Sequence, residues 1–182
     1  MTEPILALPA SKTLIRPFIS SDDTVTLSTQ ANNPLIAQYM RNAFPSPYTL
    51  TDAENWIAFT GTQNPRYDFV IAEQDTNSLI GAIGLKPRID VHHRSMEIGY
   101  WVAEGHWGLG IASEAVRLFS AWAFQEFRHV VRLDAEVFEG NRGSARVLEK
   151  AGYVFEGRKR RAVEKGGVVL DTLVYALVRD DL

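Results

Sequence analysis

The stretch Met96–Ala112, MEIGYWVAEGHWGLGIA, decides how this chain is read. Ser95 to Val102 is rich in β-branched and aromatic residues and reads as a strand. A glycine-rich turn around Gly108 and Gly110 follows, and it opens a long amphipathic helix from Ala112 to Phe127. Strand, glycine loop and helix in that order make an anion site. Glycines let the backbone approach a ligand, and the first turn of a helix offers unpaired N–H groups at the positive end of its dipole. The ligand this points to is phosphorylated, a nucleotide-containing cofactor.

Upstream of this stretch, Thr13 to Phe18 reads as a short strand closed by Pro17, and Ser20, Ser21, Asp22 and Asp23 are candidate caps for a helix running to about Gln30. Asn32-Asn33-Pro34 breaks that helix, and a short helical piece covers Leu35 to Met40. Thr51 followed by Glu54 fits a capping box for a helix from Thr51 to Gly61. Tyr67–Glu73 and Ser78–Arg88 read as strands joined at a tight turn, Asp75-Thr76-Asn77, so antiparallel hairpins are expected ahead of the glycine loop. Beyond the long helix come a strand from Val130 to Phe138 and a helix from Asn141 to Ala151 that stops at Gly152. Two last strands, near Tyr153–Arg161 and Val168–Arg179, are joined across Lys165-Gly166-Gly167. Residues 1–11 read as a leader and 12–180 as one α/β domain.

Composition narrows the function. A length of 182 residues suits a single domain with a substantial core. The formal net charge of −3 argues against general nucleic-acid binding. With no cysteine there can be no disulfide, thiolate metal site or thiol nucleophile. The opening MTEPILALPA lacks a basic n-region, and no apolar run is long enough to span a membrane, so a soluble cytoplasmic protein is expected.

Two phosphate-binding classes fit poorly. A Walker A loop requires Gly-Lys-Ser/Thr, whereas Gly110 is followed by Ile111 and Ala112. Gly108-x-Gly110-x-x-Ser113 comes near the dinucleotide fingerprint, and Asp134 lies close to the ~20 residues downstream where an acidic residue belongs. Against it, hairpins precede the loop where βαβ units should begin, and too few strand-helix units follow Gly110.

The run EGHWGLGIASEAV resembles motif A of the GNAT superfamily, the acetyl-CoA-dependent amine N-acetyltransferases, and is most similar to its RimJ/RimL-like branch, which includes acetyltransferases of ribosomal-protein N-termini. Leu14-Ile15-Arg16-Pro17, Thr51-x-x-Glu54-x-Trp56-Ile57 and Glu97-Ile98-Gly99-Tyr100-Trp101 resemble that branch in the same order. So do Asn141-x-x-Ser144-x-x-Val147-Leu148-Glu149-Lys150-Ala151-Gly152-Tyr153 and Asp171 with Tyr175-Ala176-Leu177. Gly105 departs from the superfamily pattern, which often has Gln or Arg there. The resemblance implies a single GNAT domain: an α/β (α+β) fold whose mixed, mostly antiparallel, twisted sheet is flanked by helices, with a V-shaped splay between its two central parallel strands.

By the same resemblance, acetyl-CoA is the co-substrate, no metal takes part, and acetyl passes directly to a primary amine in a ternary complex. The amine belongs to a protein N-terminus or a small molecule, and the protein is a monomer or homodimer. The backbone of Tyr100, Trp101, Val102 and Ala103 would pair with pantetheine by strand addition. The pyrophosphate would sit on the N–H groups of Trp107, Gly108, Leu109, Gly110, Ile111 and Ala112, with a hydroxyl from Ser113. Glu97 is the candidate base, directly or through water, or else a structural glutamate beside an arginine. Ser144 is the candidate acid or thiol partner, and Asn141 either a helix cap alone or a cap that also contacts pantetheine. N–H groups near Trp101 and Val102 could hold the acetyl oxygen, and Tyr39, Met40 and Phe44 lie where the acceptor pocket of this fold is built. A non-catalytic acyl-CoA-binding module is the alternative.

Weaker signals have plainer readings. Arg158-Lys159-Arg160-Arg161 could be a nucleic-acid patch, but reads better as a strand with alternate arginines on opposite faces. His92-His93 sits on a solvated turn without further ligands. Trp101, Trp107, Trp122 and Phe124 read as core or cofactor-wall residues, and Asp134 with Glu136 as a reserve acid pair on one strand face.

Overall fold

The computed structural model describes residues 3–181. Hydrogen bonding orders eight strands as β1-β2-β3-β4-β5-β6-β8-β7: β1 Leu6–Leu8, β2 Thr13–Arg16, β3 Asp68–Glu73, β4 Leu79–Pro87, β5 Ser95–Val102, β6 Arg132–Phe138, β7 Val154–Lys165 and β8 Val168–Val178. The helices are α1 Ser20–Ala31, α2 Pro34–Ala37, α3 Leu50–Thr62, α4 Ile111–Glu126 and α5 Arg142–Lys150. The sheet is mixed, as expected. β5 runs parallel to β6, while β1–β2, β2–β3, β3–β4, β6–β8 and β7–β8 are antiparallel. The parallel register covers Ser95↔Arg132 to Glu97↔Asp134, although β5 continues to Val102 and β6 to Phe138.

The chain forms two compact units, one reaching Gly84 and including Tyr100–Ala115, the other holding Leu85–Gly99 and everything from Val116 onward. In the first, β1 to β4 are successive antiparallel neighbours, with β3 and β4 the expected hairpin, and α1 and α3 supply an apolar face. Leu27, Ala53, Ile57, Val70, Leu79 and Trp101 are buried together there. Each such large side chain contributes about 1.5–3 kcal/mol by leaving water. In the second unit β6 is central and buried on both faces at Leu133, Asp134 and Ala135. Phe119, Phe124, Leu148 and Tyr175 are buried in that unit, and the Ser120 hydroxyl meets the Tyr153 phenol at 2.8 Å.

Several local expectations are corrected. Leu6–Leu8, within the stretch read as a leader, is a strand paired to Thr13–Ile15. The α3 cap is Thr49 rather than Thr51: its hydroxyl accepts from the Asp52 amide at 3.2 Å and Asp52 accepts from the Thr49 amide at 2.8 Å. This box, two residues earlier, uses both side chains and starts the helix at Leu50. None of Ser20 to Asp23 caps α1. Ile19 holds the cap position without a side-chain bond, and the buried Asp23 accepts from the Ile19 amide at 2.7 Å. α2 begins at Pro34 because Asn33 caps it and proline is well suited to the first helical turn.

β7 runs four residues past the expected end, to Lys165, with register shifts between Phe155 and Gly157 and between Lys159 and Val163. It is the exposed edge of the sheet, protected by charge and bulges. The second irregularity upsets the expected strict alternation of its arginines: Arg161 has φ +53° and donates its amide to Asp171 at 2.7 Å.

Candidate functional site

Most of the predicted binding residues lie in the first unit, on one continuous piece of chain. At the end of β5 the Ala103 amide donates to the Ile80 carbonyl of β4 at 2.7 Å. Backbone groups of alternate strand residues face opposite edges. Trp101 therefore faces β4 with Ala103, and Tyr100 and Val102 turn their N–H and C=O to the other edge. Opposite Ile71 and Ala72 of β3, β4 carries one extra residue, Ile80, and at Gly81 next to it an added Cβ would lie 2.4 Å from the Trp101 carbonyl.

A 3-10 turn, Glu104–His106, carries the chain from β5 to the glycine loop. The Trp107 amide donates to the Glu104 carbonyl at 3.1 Å, which removes it from the run of amides expected to meet a pyrophosphate. The Trp107 indole donates to the Val102 carbonyl at 2.6 Å. Asn33 donates to Glu104 at 2.7 Å, and His106 meets Glu73 at 3.3 Å. The Glu73 carboxyl is held below its ordinary value by the Thr76 hydroxyl first and His106 second.

Gly108 and Gly110 have φ of +78° and +80°, the left-handed region that other residues enter at a cost, and a Cβ at either would meet open space. Glycine is thus required by backbone conformation, and the loop's outer face is open. The Glu114 amide bonds back to the Gly110 carbonyl at 3.1 Å. The amides of Ile111, Ala112 and Ser113 therefore lie in the helix turn that has no intrahelical acceptor. Glu114 itself, buried in that turn, accepts from the Ala10 and Ser11 amides at 3.0 and 2.8 Å, fastening the segment before β2 to the start of α4. Leu109 is exposed beside the loop.

Of the candidate acceptor residues, Phe44 and Met40 pack on the apolar cluster, and Phe44 meets Tyr48 at 5.0 Å and Trp101 edge-on at 6.3 Å. Tyr39 is half-buried in the turn after α2.

The remaining candidates lie in the second unit. Glu97, half-buried, stands opposite Asp134 in the parallel register. Arg88 pairs with Asp134 at 2.9 Å and is held in its charged form mainly by that bond, with smaller help from the charges of Glu97 and Glu136. Glu97 therefore sits within the field of an arginine. The reserve pair is engaged elsewhere, Asp134 by Arg88 and Arg132, Glu136 by Lys159 at 2.6 Å. Asn141 caps α5 by accepting from the Ser144 amide at 3.1 Å. In the basic run, Arg158 pairs with Asp171 and with Glu139, and Lys159 with Glu136, so two of its four charges are neutralised within the protein.

His92 and His93 are exposed, Trp101 and Phe124 buried, Trp122 partly buried and Trp107 exposed. Among the described residues no three His, Asp or Glu side chains are grouped so as to hold a metal ion, and no helix is long and apolar enough to cross a membrane. The ties made by Trp107, Glu114 and Gly81 were not foreseen. Gly81 depends on which strands pair, Glu114 on a neighbour about a hundred residues away and Trp107 on the fold of its own turn, and only the place of Glu114 in a helix's first turn gives a local hint.

Residues 12–154 match the acetyltransferase (GNAT) domain family. The chain is 39% identical over 119 residues to the Bacillus subtilis (strain 168) protein called probable N-acetyltransferase YjcK, a match that spans 65% of each chain. It is 30% identical over 115 residues to the ribosomal-protein-serine acetyltransferase of Escherichia coli (strain K12), spanning 62% of this chain and 60% of that one. The match thus falls just short of two thirds of either relative's length. In fold it is similar to Mycobacterium smegmatis RimJ in complex with CoA-disulfide, with a TM-score of 0.84 at 24% identity, covering 100% of this chain and 88% of the other.

Proposed function

The chain belongs to the acetyltransferase (GNAT) domain family, and from that premise we propose that it transfers acetyl from acetyl-CoA to a primary amine by direct attack in a ternary complex. The observation that carries this reading is the glycine loop. Two glycines at positive φ lead straight into the amide-bearing first turn of α4, and one 3-10 turn joins that loop to a strand whose Ala103 amide is bonded to β4, which by alternation turns the Val102 amide to the opposite edge. This is a backbone built to take a pyrophosphate at one end and an extended amide chain along the other.

The amides of Ile111, Ala112 and Ser113 would hold the pyrophosphate, with Gly108, Leu109 and Gly110 shaping the approach. Pantetheine would lie along Tyr100 to Ala103, and the Val102 amide would receive the oxyanion that forms as the amine attacks the thioester carbonyl. The Val102 carbonyl is already committed to Trp107, so strand addition would rely on the remaining groups of this edge. Glu97 would take the proton released by the amine, directly or through water. Ser144 would give a proton to the thiolate as the C–S bond breaks, and Asn141 would contact pantetheine while capping α5.

The acceptor we favour is the α-amine of a protein N-terminus, with Tyr39, Met40 and Phe44 at its entry. Two things support this: the E. coli relative is named for a ribosomal-protein serine, and an α-amine, with a pKa of ~7.7–8.0 against ~10.4 for lysine, is more readily neutral for attack.

The test is calorimetric titration with acetyl-CoA of the wild type and Gly110→Trp, followed by thiol release with a panel of peptides and small amines. Binding that the variant loses, with turnover on N-terminal peptides, is the expected result. Turnover on small amines alone would replace the acceptor. Binding with no turnover would favour the acyl-CoA-binding module, and no binding would overturn the reading. Glu97→Gln should lower kcat on the order of 10²-fold or more if Glu97 is the base. A stability loss without that drop would make it a structural partner of Arg88.

A further inference from the structure

The Trp107 indole bond closes a ring that the turn does not need for its own geometry. The backbone already closes the turn twice, from His106 to Ala103 at 2.9 Å and from Trp107 to Glu104 at 3.1 Å. Yet the indole Nε1, on a side chain of a residue that is 46% exposed, reaches back to the Val102 carbonyl at 2.6 Å. Burial of the ring does not account for that placement, since nearly half of the residue remains in water. Asn33 and Glu73 fasten the outside of the same turn, through Glu104 and His106. The indole does something different: it fastens the end of β5 to the residue directly before Gly108.

We infer that Trp107 is a positioning residue that sets the spacing between the strand edge at Val102 and the glycine loop. The inference rests on the acetyl-CoA reading above, in which one ligand must meet both features at once. A ligand with two linked ends binds better than its separate ends only while the two sites are held at a matching separation. Loosening the staple leaves each site intact and degrades their registration. The loss then falls on the whole ligand and not on its parts, whereas general damage to the loop would weaken both.

Trp107→Phe keeps an aromatic ring and removes the N–H. Inhibition constants for CoA, for adenosine 3′-phosphate 5′-diphosphate and for pantetheine would be measured against acetyl-CoA turnover in both forms, with melting temperatures alongside. CoA should weaken about fivefold in the variant, the scale of one neutral hydrogen bond, and KM for acetyl-CoA should rise more than kcat falls. Each fragment should stay within about twofold of its wild-type value. Fragments weakened in proportion to CoA would show a local structural role and overturn the proposal. CoA bound more tightly would show that the indole competes for the Val102 carbonyl, and an unchanged CoA constant would show that the bond positions nothing; either overturns it. Failure of the wild type to bind acetyl-CoA is a separate result, and it would overturn the functional reading first.

Discussion

The Arg16 guanidinium of β2 grips the Asp23 carboxylate of α1 through both oxygens, each at 2.8 Å, with both side chains 1% exposed. Its remaining donors go to the Pro17 carbonyl and to the side chain and carbonyl of Asn77, so all five N–H groups are satisfied. A buried pair of this kind is dangerous to break, because the survivor keeps its charge without a partner. Asp23→Leu or Arg16→Met should each destabilise the protein by about 3–5 kcal/mol. Arg16→Lys should fail to substitute, since an ammonium cannot make the planar fork. Combining Arg16→Met with Asp23→Leu should cost well below the sum of the single changes. Urea unfolding of the four variants measures this, and strict additivity would show that the two groups do not act as a pair.

Gly81 and Gly84 offer two steric changes on one strand, the first against backbone and the second against a side chain. An added Cβ at Gly81 would lie 2.4 Å from the Trp101 carbonyl, and at Gly84 it would lie 2.2 Å from an Asp68 carboxylate oxygen. Gly81→Ala should destabilise by about 1–3 kcal/mol through overpacking, and Gly84→Ala by less, because the Asp68 carboxylate can turn aside. Only Gly81→Ala moves backbone that we assign to pantetheine, so KM for acetyl-CoA should rise on the order of tenfold in that variant alone. Steady-state kinetics with melting temperatures decides it. Equal KM values in the two variants would remove Trp101–Val102 from the binding edge.

Much of this was legible from the chain itself, for reasons that can be named. The glycine loop could be read because Gly108 and Gly110 answer a demand of local backbone conformation, and α4 because its apolar period is long. β1 was missed because three residues, Leu6–Leu8, show no period. The α3 cap was misplaced because Thr49 and Thr51 each stand three residues before an acid, Asp52 or Glu54, and both pairs satisfy the same local rule. The Glu114 ties and the need for Gly81 are consequences of tertiary neighbours, and the Trp107–Val102 bond, though it spans only five residues, depends on how the turn between them folds. No spacing in one dimension encodes them.

Tyr48 should set an alkaline limit on stability. Burial pushes its phenol up to about 12, and the charge of Asp52 adds to the effect. Tyr175 is displaced in the same direction by burial and then by Glu149. An unfolded tyrosine ionises near 10. The folded state therefore favours the neutral phenol, a contribution complete below about pH 10 and lost as pH rises through about 12. As pH rises through that window the wild type should lose melting temperature relative to Tyr48→Phe, which has no phenol to ionise. Parallel curves would mean that Tyr48 titrates as freely in the fold as outside it.

Asn141 separates a cap from a ligand contact. Its side-chain oxygen accepts the Ser144 amide at 3.1 Å, a bond whose loss in Asn141→Ala should cost about 1 kcal/mol. Asn141→Asp keeps an acceptor in the same place and adds a negative charge at a helix N-terminus, where the dipole favours it. The aspartate should therefore recover the melting temperature. It cannot recover the amide N–H donors that we assign to pantetheine. Acetyl-CoA affinity should accordingly fall in both variants, while stability falls only in the alanine. Calorimetric titration beside thermal melting tests this directly: an aspartate variant that regains both properties would reduce Asn141 to a helix cap, leaving Ser144 and Glu97 as the only side chains of the second unit proposed to act on the thioester.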